Sequence, residues 1–262
     1  MAPVAKGSRC GTYMDLRPPL IGLARERQTV LNAVEQRQSL LVLGPGGSGK
    51  TALVQSVLES ESRQEAPLYV AQFETPHDLL VMIARALLRS GHRSFRRTAS
   101  SGSDWEKWLD CQTSIHLKGL LWESLEAEPR TLILDGVNRA GHQTYRFLQR
   151  LYFAPGIAMI ATARDHLHLG DLGRLFWDPR KTLHVQPLSN GEALQLFETA
   201  ADHFGLRRLH LDEFREKVLE CAEGNPGEII EMCRLAAHPQ YVSGRYIKFA
   251  LIRIDAMMKH LG

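Results

Sequence analysis

The sequence predicts an α/β fold: a three-layer αβα core around a five-stranded, mostly parallel sheet, followed by a small all-α lid. Three observations carry this. Apolar runs of strand length recur at residues 40–43, 68–73, 131–135, 156–164 and 182–185, and segments with helical spacing separate them, which is the alternation that builds parallel sheets. After Pro187 only helical spacing recurs. The stretch 40–58, LLVLGPGGSGKTALVQSVL, reads as buried strand, glycine-rich turn and helix in immediate succession.

Bulk properties bound the rest. At 262 residues the chain fits one α/β domain with a smaller appendage, and 44% hydrophobic with 23% charged residues is ordinary globular composition. A formal charge of +3 is far from that of a protein that coats nucleic acid. Cys10, Cys111, Cys221 and Cys233 are scattered without a C-x-x-C pair, so idle thiols in a reducing compartment are expected. No apolar run approaches a membrane span and Met1 to Asp15 lacks the apolar core of a signal peptide. A soluble, cytoplasmic protein without a membrane partner is the expectation.

Gly44, Pro45, Gly46, Gly47, Ser48, Gly49, Lys50 and Thr51 satisfy the phosphate-loop pattern G-x-x-x-x-G-K-[ST]. Glycines let successive N–H groups turn inward onto phosphate oxygens, and the positive end of the following helix adds its dipole. Lys50 is placed to reach the β/γ-phosphates, and the Thr51 hydroxyl to ligate Mg²⁺. ATP and Mg²⁺ are therefore the expected ligands.

Taken in order, residues 1–19 mix Gly, Pro and basic residues without periodicity and read as a tail or surface arm. Residues 20–26 lead into a helix carrying Val30, Leu31 and Val34 at helical spacing. Set just before a phosphate loop, this lead-in resembles the "hhGRxxE"-like box of the STAND and origin-recognition-like AAA+ ATPases, although Leu23 and Ala24 separate Gly22 from Arg25. The resemblance implies that Ile21 and Gly22 line the adenine, with Arg25 and Glu26 structural.

Residues 68–73 predict the second strand, and Thr75-Pro76 a helix start with Leu79, Leu80, Ile83, Ala84, Leu87 and Leu88 on its apolar face. Residues 89–103 bring Arg89, Arg93, Arg96 and Arg97 together in a Gly/Ser-rich setting. That stretch reads either as a solvated insertion or as a contact for DNA phosphates with Phe95 free to stack. Residues 104–128 resume as helix, with Trp105, Trp108, Leu109, Leu120, Leu121 and Leu125 facing inward.

Residues 131–135 end an apolar strand on Asp135, the form of a Walker B strand whose carboxylate holds the Mg²⁺ water shell beside Thr51. In most AAA+ ATPases a glutamate follows directly as general base; here Gly136 does, and the positions where STAND proteins place a later acid hold Asn138 and Arg139. Asn138 can orient a water but cannot take its proton, so slow hydrolysis is expected. Glu74 is an alternative base. The end of the 156–164 strand resembles the sensor T-x-R of STAND ATPases, which implies that Thr162 and Arg164 read the γ-phosphate. Arg174 and Arg180 lie where AAA+ oligomers supply an arginine finger.

Pro187-Leu188-Ser189 with Glu192 forms a capping-box signature, and in the resembled families such a segment leaves the core at 20–187 for a lid, here 188–262. Gly224-Asn225-Pro226 stops one helix and starts the next. It resembles the G-x-P motif of STAND lids, whose proline, here Pro226, approaches the nucleotide, while Gly227 stands where origin-recognition relatives carry a sensor arginine. Ile247, Ala250, Leu251, Ile254, Met257, Met258 and Leu261 form a stripe expected to pack as core. The function this implies is an ATP-binding AAA+/STAND-type regulatory ATPase, a switch controlling self-association or engagement of a protein partner. The alternative is an ATP-dependent DNA-binding regulator resembling transposition target-selection ATPases. A kinase-like rival lacks any acceptor-substrate motif.

Overall fold

The computed structural model describes residues 20–59, 66–98 and 105–259, so the expected tail at 1–19 and part of the 89–103 stretch lie outside the described residues. In chain order the elements are α1 (Ala24–Glu35), β1 (Leu40–Leu43), α2 (Lys50–Leu58), β2 (Leu68–Val70), α3 (Pro76–Ser90), α4 (Arg93–Thr98), α5 (Trp105–Asp110), α6 (Ser114–Ala127), β3 (Leu132–Leu134), α7 (His142–Tyr152) and β4 (Met159–Ala163). They continue with β5 (Thr182–His184), α8 (Asn190–His203), α9 (Asp212–Ala222), α10 (Pro226–Ala236), the hairpin β6 (Val242–Ser243) and β7 (Tyr246–Ile247), and α11 (Phe249–Lys259).

Five parallel strands lie in the order β2-β3-β4-β1-β5. Because side chains alternate along a strand, each of β1 to β4 feeds two cores. Leu41, Leu43, Leu132, Leu134, Met159 and Ala161 join α3, α6 and α7 on one face, while Leu40, Val42, Ile133 and Ile160 join α1 and α2 on the other. These are the three layers. Burial of each of these leucine, isoleucine, valine and methionine side chains contributes roughly 1.5–3 kcal/mol.

Local chemistry sets the helix starts. Thr75 accepts from the Asp78 N–H while Asp78 accepts from the Thr75 N–H, a reciprocal cap, and Ser189 and Glu192 repeat it at the start of α8. The second strand is shorter than expected, ending at Val70, although Phe73 is still buried.

The arginine stretch is not a loop throughout: residues 93–98 are helical, and Phe95 is fully buried among α3 and α6 residues. The expectation of Phe95 as a stacking platform is thereby corrected. A single aromatic flanked by polar residues marks the buried side of a short helix as well as it marks a loop tip.

Helices α8 to α11 form a separate core through Leu196, Phe197, Phe214, Val218, Ile229 and Ile252. The helix α11 corrects the sequence expectation: Leu251, Ile254, Met257 and Met258 are exposed, while Ile252 is buried with Phe249 and Ala256 packed beside it. This helix is apolar on both sides, so spacing alone does not choose the buried one. No helix among the described residues is long and apolar enough to cross a membrane.

Candidate functional site

The site gathers at the carboxyl ends of β1, β3 and β4, the edge where ligands bind in open α/β sheets. β1 delivers the chain into the turn at Gly44, and α2 begins at Lys50. Gly47 and Gly49 have φ of 77° and 90°, conformations that side chains strain to adopt. A Cβ at Gly44 would meet Ser48 Oγ at 2.7 Å. The Lys50 ammonium donates to the carbonyls of Gly44 and Pro45, both at 2.7 Å, and to Ser48 Oγ at 3.2 Å. Burial holds it below the ordinary lysine pKa, with nearby Asp135 opposing and Arg164 reinforcing that shift. Thr51 follows, exposed on the first turn.

Asp135 leaves β3 buried, and register sets its neighbours: Leu134 pairs with Ala161, which brings Thr162 beside it. The Thr162 hydroxyl donates to Asp135 Oδ1 at 2.6 Å and accepts from the Gly136 N–H at 2.8 Å. On the other side the Tyr69 hydroxyl donates to Asp135 Oδ2 at 2.8 Å. Burial, followed by that hydrogen bond and the carboxylate charge, pushes the Tyr69 pKa up to about 12, while Gln55 of α2 works in the opposite direction. Two hydroxyl donors thus hold one carboxylate in a fixed rotamer.

Other residues arrive from farther away. The Arg164 guanidinium lies 3.9 Å from where a Cβ on Gly46 would sit. Gly22, at φ 75°, packs against Leu188 and Glu192, Ile21 packs on the C-terminal helical core, and Leu23 reaches the phosphate loop beside Gly49. Pro226 also faces Gly49, with its Cγ 3.9 Å from the position a Cβ there would take.

The start of α10 is bonded directly to the loop: Asn225 Nδ2 donates to Gly46 O at 2.9 Å and the Gly227 N–H to Gly47 O at 2.9 Å. Asn225 Oδ1 meanwhile accepts from the Gly227 and Glu228 N–H groups, so one side chain caps the helix and clamps the loop.

Asn138 is exposed on the loop leaving β3, and Glu74 is exposed beyond β2. Arg174 pairs with Asp171 and Arg180 with Asp178, each within its own surface turn. Sequence reasoning missed Tyr69 and the loop-binding role of Asn225. The available signal for Tyr69 was a hydroxyl-bearing residue inside an apolar strand.

The donors fit the ligands expected. One carboxylate and one hydroxyl are hard oxygen donors, and Mg²⁺ bound with triphosphates uses one or two carboxylates and keeps several waters. Among the described residues no cluster of three or more His, Cys, Asp or Glu forms an alternative cage.

Tyr69→Phe should leave the fold intact, lower stability by about 1–2 kcal/mol through loss of a hydrogen bond to a charged acceptor, and raise the Mg²⁺ concentration needed for nucleotide binding. Denaturant unfolding and a Mg²⁺ titration check it. An unchanged Mg²⁺ requirement would show either that Asp135 does not hold Mg²⁺ or that it needs no second donor.

Solved structures share this architecture. A Walker-type ATPase of Pyrococcus abyssi is 15% identical, with a TM-score of 0.60 over 94% of this chain and 77% of its own. The ORC1 protein of Aeropyrum pernix, solved in complex with DNA, is 15% identical with a TM-score of 0.62, over 91% of this chain and 66% of its own. A signal transduction ATPase with numerous domains, carrying a tetratricopeptide repeat sensor, from Pyrococcus horikoshii is 16% identical with a TM-score of 0.51, over 90% of this chain and 32% of its own. No curated protein matches the sequence. The AAA ATPase domain family matches residues 19–155. That match takes in the lead-in, the phosphate loop and the Asp135 strand, more than half of the sequence, and the chain belongs to the AAA ATPase domain family of P-loop nucleoside triphosphatases.

Proposed function

We propose that the protein is an ATP-binding switch in which the phosphate loop and the helical region after Pro187, acting as a lid, change orientation together. The observation that carries this is the pair of hydrogen bonds from Asn225 and Gly227 to the carbonyls of Gly46 and Gly47. A triphosphate held by the N–H groups of the same loop acts on a backbone the lid already grips. Binding energy that differs between two lid orientations shifts their populations.

In this reading Gly44 to Thr51 cradle the phosphates, Lys50 neutralises them, and Thr51 and Asp135 hold Mg²⁺. Thr162 and Arg164 respond to the γ-phosphate, and Ile21, Gly22 and Pro226 border the nucleoside. ATP brings the triphosphate, and Mg²⁺ its charge neutralisation.

Hydrolysis is slow because no carboxylate follows Asp135 directly. Gly136 has φ 71°, so a glutamate placed there is strained. Asn138 is exposed on the same loop and is the better place to restore an acid. Asn138→Asp is expected to raise turnover about tenfold or more, toward the range of a positioned general base, with ATP affinity little changed. Steady-state turnover with calorimetry checks this, and unmodified protein already turning over at ordinary ATPase rates would refute slow hydrolysis. Light scattering with and without a non-hydrolysable ATP analogue tests whether the switch governs self-association.

A second reading, a nucleic-acid partner, is favoured by the gathering of Arg93 and Arg97 with two further arginines in one cleft.

A further inference from the structure

At the edge of the sheet opposite the phosphate loop lies an open cleft of about 790 Å³ whose lining includes Arg37, Arg93, Ser94, Arg97, Glu128 and Arg130. Arg37 stands just before β1 and Arg130 just before β3, at the amino ends of those strands, while the short helix α4 brings Arg93 and Arg97. Three separate stretches of chain therefore supply four guanidinium groups. Over the whole protein 32 lysines and arginines face 29 acids. Among the described residues four arginines share the lining with one carboxylate, Glu128, and that carboxylate is itself bonded by Arg130 and by the Arg93 N–H.

We propose that this cleft binds the phosphodiester backbone of duplex nucleic acid; it rests on the second reading above and supplies that reading with a surface. Helices α3 and α6 both end here, and their negative ends offer a competing use for the arginines. The structure fills that use with other groups: Arg96 donates to Leu88 O at 3.1 Å, the Gly91 and His92 N–H groups bond Leu88 O and Leu87 O, and His92 Nε2 bonds Glu128 O at 2.9 Å.

The lining points to backbone recognition. Among the described residues its lining includes no aromatic, and the neighbouring Phe95 is fully buried, so the described lining offers no platform for unpaired bases. Small-molecule pockets are lined mainly by apolar and aromatic groups, and protein partners anchor on buried apolar side chains. Planar guanidinium forks without such a pocket suit a row of phosphates.

The test is fluorescence anisotropy of a labelled duplex DNA against the full-length protein over a series of salt concentrations. Unmodified protein is expected to bind with a clear salt dependence. The double variant Arg93→Ala, Arg97→Ala should weaken binding at least about tenfold and flatten the slope of log affinity against log salt by about 2, one unit for each phosphate no longer neutralised. Arg37→Ala should flatten it by about 1. Arg89→Ala, outside the lining, should stay within about twofold. Thermal unfolding of each variant shows that the fold is kept.

Equal binding by the unmodified, double and Arg37 proteins would overturn the cleft while leaving a nucleic-acid partner standing on another surface. No salt-dependent binding by any of them would remove both. Displacement of the duplex by poly-glutamate at equal charge concentration would overturn the assignment to phosphate.

Discussion

Lys50→Ala is expected to weaken binding of Mg²⁺-ATP by on the order of a hundredfold or more, about 2.7 kcal/mol or above. The ammonium group sits at the loop, within 2.7 Å of the carbonyls of Gly44 and Pro45 and near Asp135. In the proposed phosphate-loop role its removal takes away a charge-assisted contact to phosphate, each such contact being worth about 1.5–3 kcal/mol. It also leaves two loop carbonyls without a donor they now have. Isothermal calorimetry measures the first effect and thermal unfolding without nucleotide separates out the second. A variant binding ATP as tightly as the unmodified protein would remove the phosphate-loop assignment, and the proposed switch with it.

Gly227→Arg is expected to detach the C-terminal helical region from the phosphate loop. A Cβ at Gly227 would lie 2.6 Å from the Gly47 Cα and 3.0 Å from the Gly47 carbonyl oxygen, both backbone atoms that no rotamer change can move aside. Forcing such an overlap costs about 1–3 kcal/mol and occasionally more, and loss of the 2.9 Å bond from the Gly227 N–H to Gly47 O adds to it. The cheaper response is separation of the two surfaces. Small-angle scattering should show a larger radius of gyration, and proteolysis should cut faster between β5 and α8. An unchanged radius and cutting pattern would mean that the docking seen here does not hold the region in place. The same contact explains the glycine at this position, because an arginine could not stand where two backbones touch.

Much of the site was legible because it is local in sequence. The phosphate loop, the caps at Thr75, Ser189 and Asn225, and the strand ending in Asp135 each depend on residues within a few positions of one another. The five parallel strands were legible too, since each is a short apolar run between helices. Asn225 was read as a cap, and it is one. Its second bond, to Gly46, spans 179 positions and left no local trace.

What the sequence by itself indicated was the five core strands, the helices between them and the glycine-rich turn, because periodicity, capping and glycine geometry act over one or two turns of chain; the short helix at 93–98 and the β6–β7 hairpin after Pro187 were not foreseen. The tertiary structure alone decided that Tyr69 grips Asp135 from a neighbouring strand, that Phe95 turns inward while its arginines line a cleft, and that α11 buries Ile252 rather than Ile254. It also decided that Gly47 meets Gly227. Each of these follows from strand register or from the docking of one surface on another, and such choices between near-equal faces are made by packing across long separations, where no local pattern distinguishes the alternatives.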